Sequence, residues 1–116
     1  MLEVEDKLVL PVACDNSDPS WFGFIVTCKD GVDRNKVVPY IEEHGVQTRM
    51  LFSGNIIKHP CFDEMRASGE GYRVVGTLEN TDRIMNNSFW VGVYPGMTDE
   101  MIDYMANTIK EAVCGC

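Results

Sequence analysis

The stretch that decides the fold is "NNSFWVGVYPGMTDEMIDYMANTIKEAV", Asn86 to Val113. From Phe89 to Tyr94 the side chains alternate, with Phe89, Val91 and Val93 on one face and Trp90, Gly92 and Tyr94 on the other. That period of two is a strand. Tyr94-Pro95-Gly96 turns the chain. Thr98 is a good N-cap, and Asp99 and Glu100 suit the positive end of a helix. Ile102, Met105, Ala106, Ile109 and Val113 then recur at helical spacing. A long helix with one apolar stripe needs a sheet to receive it, so the rest of the chain must supply more strands.

"WFGFIVTCK", Trp21 to Lys29, is rich in aromatic and β-branched residues and apolar on both faces, which predicts a central strand. Gly23 between Phe22 and Phe24 predicts a bulge or a close approach. Asp33 caps a helix that runs to about His44, with Val37, Val38 and Ile41 inward. Pro39 inside it predicts a kink or a late start, and Gly45 ends it. "VQTRMLF", Val46 to Phe52, reads as a second strand stopped by Ser53-Gly54-Asn55. A long connection follows, with a short helix near Phe62–Arg66 and a short strand in "YRVVGTL". Thr81 is placed to cap a short helix, "DRIMNN". Residues 1–20 read as an irregular lead-in that packs against something outside the chain, and residues 21–116 as one domain. The predicted class is α+β: a small mixed or antiparallel sheet with helices packed on one face.

Composition excludes several roles. A net charge of −8 argues against nucleic acid as a main partner, because phosphate backbones need clustered Lys and Arg. No apolar run approaches the roughly 20 residues of a membrane span. No signal peptide is visible in "MLEVEDKLVL", and the five cysteines are an odd number, so a reduced, cytoplasmic protein is expected. Cys114 and Cys116 read as exposed thiols of a frayed end rather than metal ligands, since paired ligand spacings are lacking.

No catalytic motif is present: there is no glycine-rich phosphate loop, G-x-S-x-G or HExxH. Three places are unusual for their surroundings. Arg49 interrupts an apolar strand, Gly54-Asn55 follows it closely, and Arg83 sits in the first turn of a short helix, against the dipole. The pattern alone favours plain readings: a solvated strand face, a turn, and an ion pair with Asp82 or a nearby acid.

The same places carry a resemblance. "GVQTRMLFSGNIIKHPCF" and "ENTDRIMNNSFWVGVYPGMTDEMIDYMANTIKE" resemble stretches of the DegT/DnrJ/EryC1/StrS sugar aminotransferase family, a fold type I group that uses pyridoxal phosphate. Phe52-Ser53-Gly54-Asn55, Phe89-Trp90-Val91-Gly92 and "SWFGF" at Ser20–Phe24 are similar to the branch that dehydrates CDP-4-keto-6-deoxyglucose at C3 in 3,6-dideoxyhexose and lipopolysaccharide synthesis. The resemblance spans Asp18 to Glu111 and implies only the C-terminal small domain. The missing large domain would carry the pyridoxamine or pyridoxal phosphate and an iron–sulfur cluster, so this chain is expected to bind no cofactor and no metal, to contain no catalytic residue, and to be inactive alone. By the resemblance, Arg83 meets the phosphate or sugar oxygens of a nucleotide sugar. Phe24, Phe52, Gly54 and Asn55 line the sugar side of the cleft, and Arg49 holds the strand end or the substrate. An apolar patch left by the absent domain implies a homo-oligomer. A small domain from a sugar aminotransferase, and a stand-alone acidic binding module, are the alternatives.

Overall fold

The computed structural model describes residues 2–115. Four strands form one antiparallel sheet in the order β1-β2-β4-β3: Leu8–Val9 (β1), Gly23–Cys28 (β2), Thr48–Arg49 (β3) and Ser88–Gly92 (β4). The helices are Arg34–Glu43 (α1), Asp63–Ser68 (α2), Glu79–Asn87 (α3) and Asp99–Gly115 (α4). β2 and β4 form the centre, with Phe24 opposite Val91 and Val26 opposite Phe89. Paired residues share a face, so Val26, Cys28, Phe89 and Val91 point together toward α1 and α4. Val37 and Ile41 of α1, and Ile109, Ala112 and Val113 of α4, complete this core.

The local signals explain the central elements. The Asp33 carboxylate accepts from the Asn35 amide at 2.9 Å and starts α1. Gly45, at φ +78°, ends it: its amide donates to Glu42 O and the Val46 amide to Ile41 O. Val46 and Ile41, both buried, pack beside this stop. The helix runs through Pro39 without a late start. Thr98 Oγ1 accepts from the Met101 amide at 3.3 Å and caps α4. At Gly23 the close approach is made by a side chain, since a Cβ there would lie 2.5 Å from Trp90 Cε3.

Four expectations are corrected. The lead-in is not wholly irregular: Val4 and Leu8 are buried in the core, and β1 pairs with Thr27 and Cys28. The second strand shrinks from seven residues to Thr48–Arg49, because the chain turns at Phe52 (φ +44°) and Gly54 (φ +58°). "YRVVGTL" forms no strand, and Val74 and Val75 are exposed. α3 starts at Glu79 after Leu78 in the left-handed region, so Thr81 lies inside the first turn rather than at the cap. Arg83 therefore sits one turn further in, where the dipole opposes it less.

The apolar stripe of α4 is covered only at its C-terminal half. Ile109, Ala112 and Val113 are buried, whereas Ile102 is exposed and Met105 and Ala106 half-buried. A groove of about 400 Å³ opens there, between Phe24, Tyr94, Pro95 and Ile102.

Cys28 tests the core directly. Burial pushes its thiol up to about 11 from 9.0. A thiol held neutral by folding supports the fold below pH 9, and that support is lost as pH rises through 11. Brief native alkylation is expected to label Cys14, Cys61 and Cys114, which are exposed, and to spare Cys28 until denaturant is added. Labelling of Cys28 at the rate of Cys14 would contradict this packing. Cys116 lies outside the described residues.

Candidate functional site: the 51–58 corner and helix α3

After β3 the chain folds into a tight corner. The Phe52 amide donates to Met50 O at 2.8 Å, and the Gly54 amide to Leu51 O at 3.2 Å. Trp90 Nε1 donates to Met50 O at 3.3 Å, taking the carbonyl that a longer strand would use. The corner then docks on α3. Asn55 is 3% exposed, and its side-chain amide donates to Asp82 Oδ1 at 2.8 Å. Lys58 Nζ binds Asp82 Oδ2, also at 2.8 Å. Both contacts stabilise the charged carboxylate and hold its pKa below the usual value, the Lys58 bond more than the Asn55 bond. Gly54 abuts the Met85 side chain so closely that a Cβ would overlap it.

This arrangement decides what Arg83 can do. Consecutive helical residues point in different directions, so Asp82 turns to the corner and Arg83 to solvent. The plain reading, an ion pair with Asp82, is not what forms. Among the described residues Arg83 has no hydrogen bond or ion pair, and its planar fork of donors is exposed. Phe52 is 77% exposed, a large aromatic in a left-handed conformation, which the locked corner sustains.

The six residues singled out in the sequence fall into three places. Phe52, Gly54, Asn55 and Arg83 belong to the corner and the helix it grips, with Asn55 committed to Asp82. Phe24 points to the helix-covered side of the sheet and lines the groove beside α4. Arg49, opposite Trp90, lines a different groove with Tyr94, Met101 and Tyr104. Sequence reasoning missed Lys58 and Asp82 as the lock, because that pair joins positions 24 apart. It also missed Trp21 and Phe22, whose exposure is 43% and 76%. A hydrophobic run gives no sign of which members its own chain leaves uncovered.

Four of the five lysines are held: Lys7 by Val113 O, Lys29 by Glu5 O, Lys58 by Asp82 and Lys110 by Glu3. Lys36 is exposed on α1. None of the five lines the grooves beside α4, beneath Trp90 or at the corner. Among the described residues no three His, Cys, Asp or Glu side chains gather as metal ligands, and no helix is long and apolar enough to cross a membrane.

The architecture, a small antiparallel sheet backed by helices, is a fold found as part of larger aminotransferase-fold proteins. GDP-4-keto-6-deoxymannose-3-dehydratase (ColD) superposes with a TM-score of 0.74 over 93% of this chain, at 24% identity. The aminotransferase TlmJ from Streptoalloteichus hindustanus superposes with 0.72 over 95%, at 14% identity. The sequence then gives the family: residues 1–110 match the model of the DegT/DnrJ/EryC1/StrS aminotransferase family, and the chain belongs to it. It is 49% identical over 106 residues to the lipopolysaccharide biosynthesis protein RfbH of Salmonella typhimurium. It is 47% identical over 108 residues to the dTDP-4-dehydro-2,6-dideoxy-D-glucose 3-dehydratase of Saccharopolyspora spinosa. These matches take in 90% and 91% of this chain but only 23% and 22% of the relatives, so the chain spans about a quarter of their length.

Proposed function

We propose that this chain is the C-terminal small domain of a nucleotide-sugar 3-dehydratase and presents the corner and α3 to the substrate. The observation that supports this most is the 47% identity to a protein named for 3-dehydration of a dTDP-sugar, over 91% of the chain. It favours dehydration over amino transfer, since the aminotransferase TlmJ is only 14% identical to this chain. The finer reading is a pyridoxamine-phosphate-dependent enzyme acting on CDP-4-keto-6-deoxyglucose. The cofactor, which supplies an electron sink for loss of the C3 hydroxyl, and an iron–sulfur cluster belong to the part of the fold that this chain does not span. The chain contributes position and charge. Arg83 offers a bidentate fork to diphosphate or sugar oxygens, and the Asp82 lock keeps it from being neutralised by its neighbour. Phe52 and the Gly54 turn form the wall beside it. Arg49 and Phe24 reach the substrate only along the adjoining grooves. On this reading the chain is inactive by itself, since it spans about a quarter of its relatives' length.

The test is an exchange. The matching quarter of the Saccharopolyspora spinosa 3-dehydratase is replaced by this chain and turnover of its dTDP-sugar is followed. Activity is expected to survive the exchange. Arg83→Ala in that hybrid is expected to raise KM about 10- to 100-fold, the loss of one charge-assisted contact, with Arg83→Lys intermediate. A folded hybrid whose KM ignores Arg83→Ala would remove Arg83 from the site; a folded hybrid with no turnover would remove the reading.

A further inference from the structure

We infer that Arg34, at the start of α1, is a positioning residue for substrate binding: it fixes the angle between α3 and β4 and so aims Arg83. The inference rests on the proposed function and adds what holds that site's arginine in place.

Arg83 does not hold its own direction. Among the described residues it has no hydrogen bond or ion pair, so its fork goes where the backbone of α3 carries it. That backbone has weak anchors. Short helices depend on burying an apolar face, and α3 contains no buried residue. Leu78 precedes it in the left-handed region and gives no side-chain cap. What remains is polar. The corner grips one side, through Asn55 and Lys58 on Asp82 and through the Asn55 amide, which donates to Met85 Sδ at 3.3 Å. At the far end there is no loop: α3 ends at Asn87 and β4 begins at Ser88. Ser88 is fully buried and its hydroxyl pairs with Thr27 Oγ1 at 2.8 Å, which fixes where the strand starts. That pair leaves the angle of the helix to the strand open.

Arg34 spans the junction. Its Nη1 donates to Met85 O, in the last turn of α3, at 2.8 Å and to Ser88 O, at the start of β4, at 3.4 Å. One amino group thus bonds carbonyls on both sides of the bend, the first bond being the stronger. Carbonyls in a last turn lack an intrahelical partner, and the negative end of the dipole favours a cation there. Nη2 donates to Asn35 Oδ1 at 3.1 Å, which orients the guanidinium plane. The side chain springs from firm ground, since α1 buries Val37, Val38 and Ile41. Its placement is poor for α1 itself. Arg34 is the first residue of that helix, where the dipole opposes a cation. Its Nε is buried with no hydrogen-bond partner among the described residues, a desolvation penalty. A residue serving α1 alone would avoid both. They are offset at the junction, where one side chain ties the well-packed helix to the loosely held one. Arg83 lies two residues before Met85, so a swing of the last turn of α3 moves its fork relative to the corner.

The test uses the hybrid in which this chain replaces the matching quarter of the Saccharopolyspora spinosa 3-dehydratase, with its dTDP-sugar. Arg34→Ala is expected to raise KM about 5- to 20-fold and leave kcat within about threefold, since a misplaced fork weakens binding. In the Arg83→Ala hybrid the same substitution should change KM by less than about twofold, because the group it positions is gone. Arg34→Lys, which keeps the charge and a donor, should recover part of the loss. Lys36→Ala, exposed on the same helix, should leave KM within about twofold. On the chain alone, amide exchange from Glu79 to Asn87 should quicken in Arg34→Ala while Val37 to Ile41 stays protected. Where Arg34→Ala fails to fold, Arg34→Gln carries the same comparison. KM losses that multiply in the double variant would overturn the inference and leave the proposed function standing. An unchanged KM in Arg34→Ala, or unchanged exchange along α3, would do the same. Loss of the folded state in both Arg34→Ala and Arg34→Gln, read by circular dichroism, would also overturn it by making Arg34 a residue of the fold. A KM blind to Arg83→Ala would sink the proposed role of Arg83 and this inference together.

Discussion

Phe89→Ala is expected to remove about 3–5 kcal/mol of stability, the largest loss from any single truncation in this chain. Phe89 is fully buried and is the largest such side chain. It lies on β4 opposite Val26, beneath the α1–α4 contact, where strand and helices cannot both move in to fill the hole. A domain of this size has about 5–15 kcal/mol in all. The urea midpoint should therefore drop by about 2 M or the variant should fail to fold. A loss under 1 kcal/mol would mean that β4 is not the centre of the core.

Gly54→Ala is expected to cost about 2–4 kcal/mol, far more than its size suggests. Two causes add. The backbone sits at φ +58°, which costs a side chain about 1 kcal/mol, and a Cβ would overlap Met85 on α3. The control separates them. Gly69→Ala shares the left-handed backbone, at φ +72°, but meets open space, so it should cost only about 1 kcal/mol. The difference between the two variants measures the grip of the corner on α3. Amide exchange from Leu51 to Lys58 should quicken in Gly54→Ala and not in Gly69→Ala. Equal costs for both would mean that the corner does not rest on α3.

What the sequence disclosed follows from the range of each signal. The Asp33 cap, the Gly45 stop, the Thr98 cap and the two central strands are set by neighbours a few residues apart, and each appears where its local chemistry puts it. β1 was not legible because two residues carry no period; its place comes from pairing with Thr27 and Cys28 about 20 positions away. The overlong second strand has the same origin. "VQTRMLF" is apolar enough for a strand, but Trp90 takes the Met50 carbonyl and Phe52 turns left-handed. For the site, Gly54-Asn55 and Arg83 stood out as misfits in their local patterns. Their connection did not, because Asp82 appeared to belong to Arg83 and in fact holds Asn55 and Lys58. Phe24 and Arg49 were grouped with them by resemblance, and the pleat sends each to a separate groove.

The most direct test is hydrogen exchange on the hybrid enzyme with and without its dTDP-sugar. Substrate should slow exchange at the corner, Leu51 to Lys58, and along α3, Glu79 to Asn87, while the covered end of α4 around Ile109 to Val113 stays unchanged. A hybrid that turns over its sugar yet shows no protection at either segment would place the substrate elsewhere and contradict the role given to the corner and Arg83.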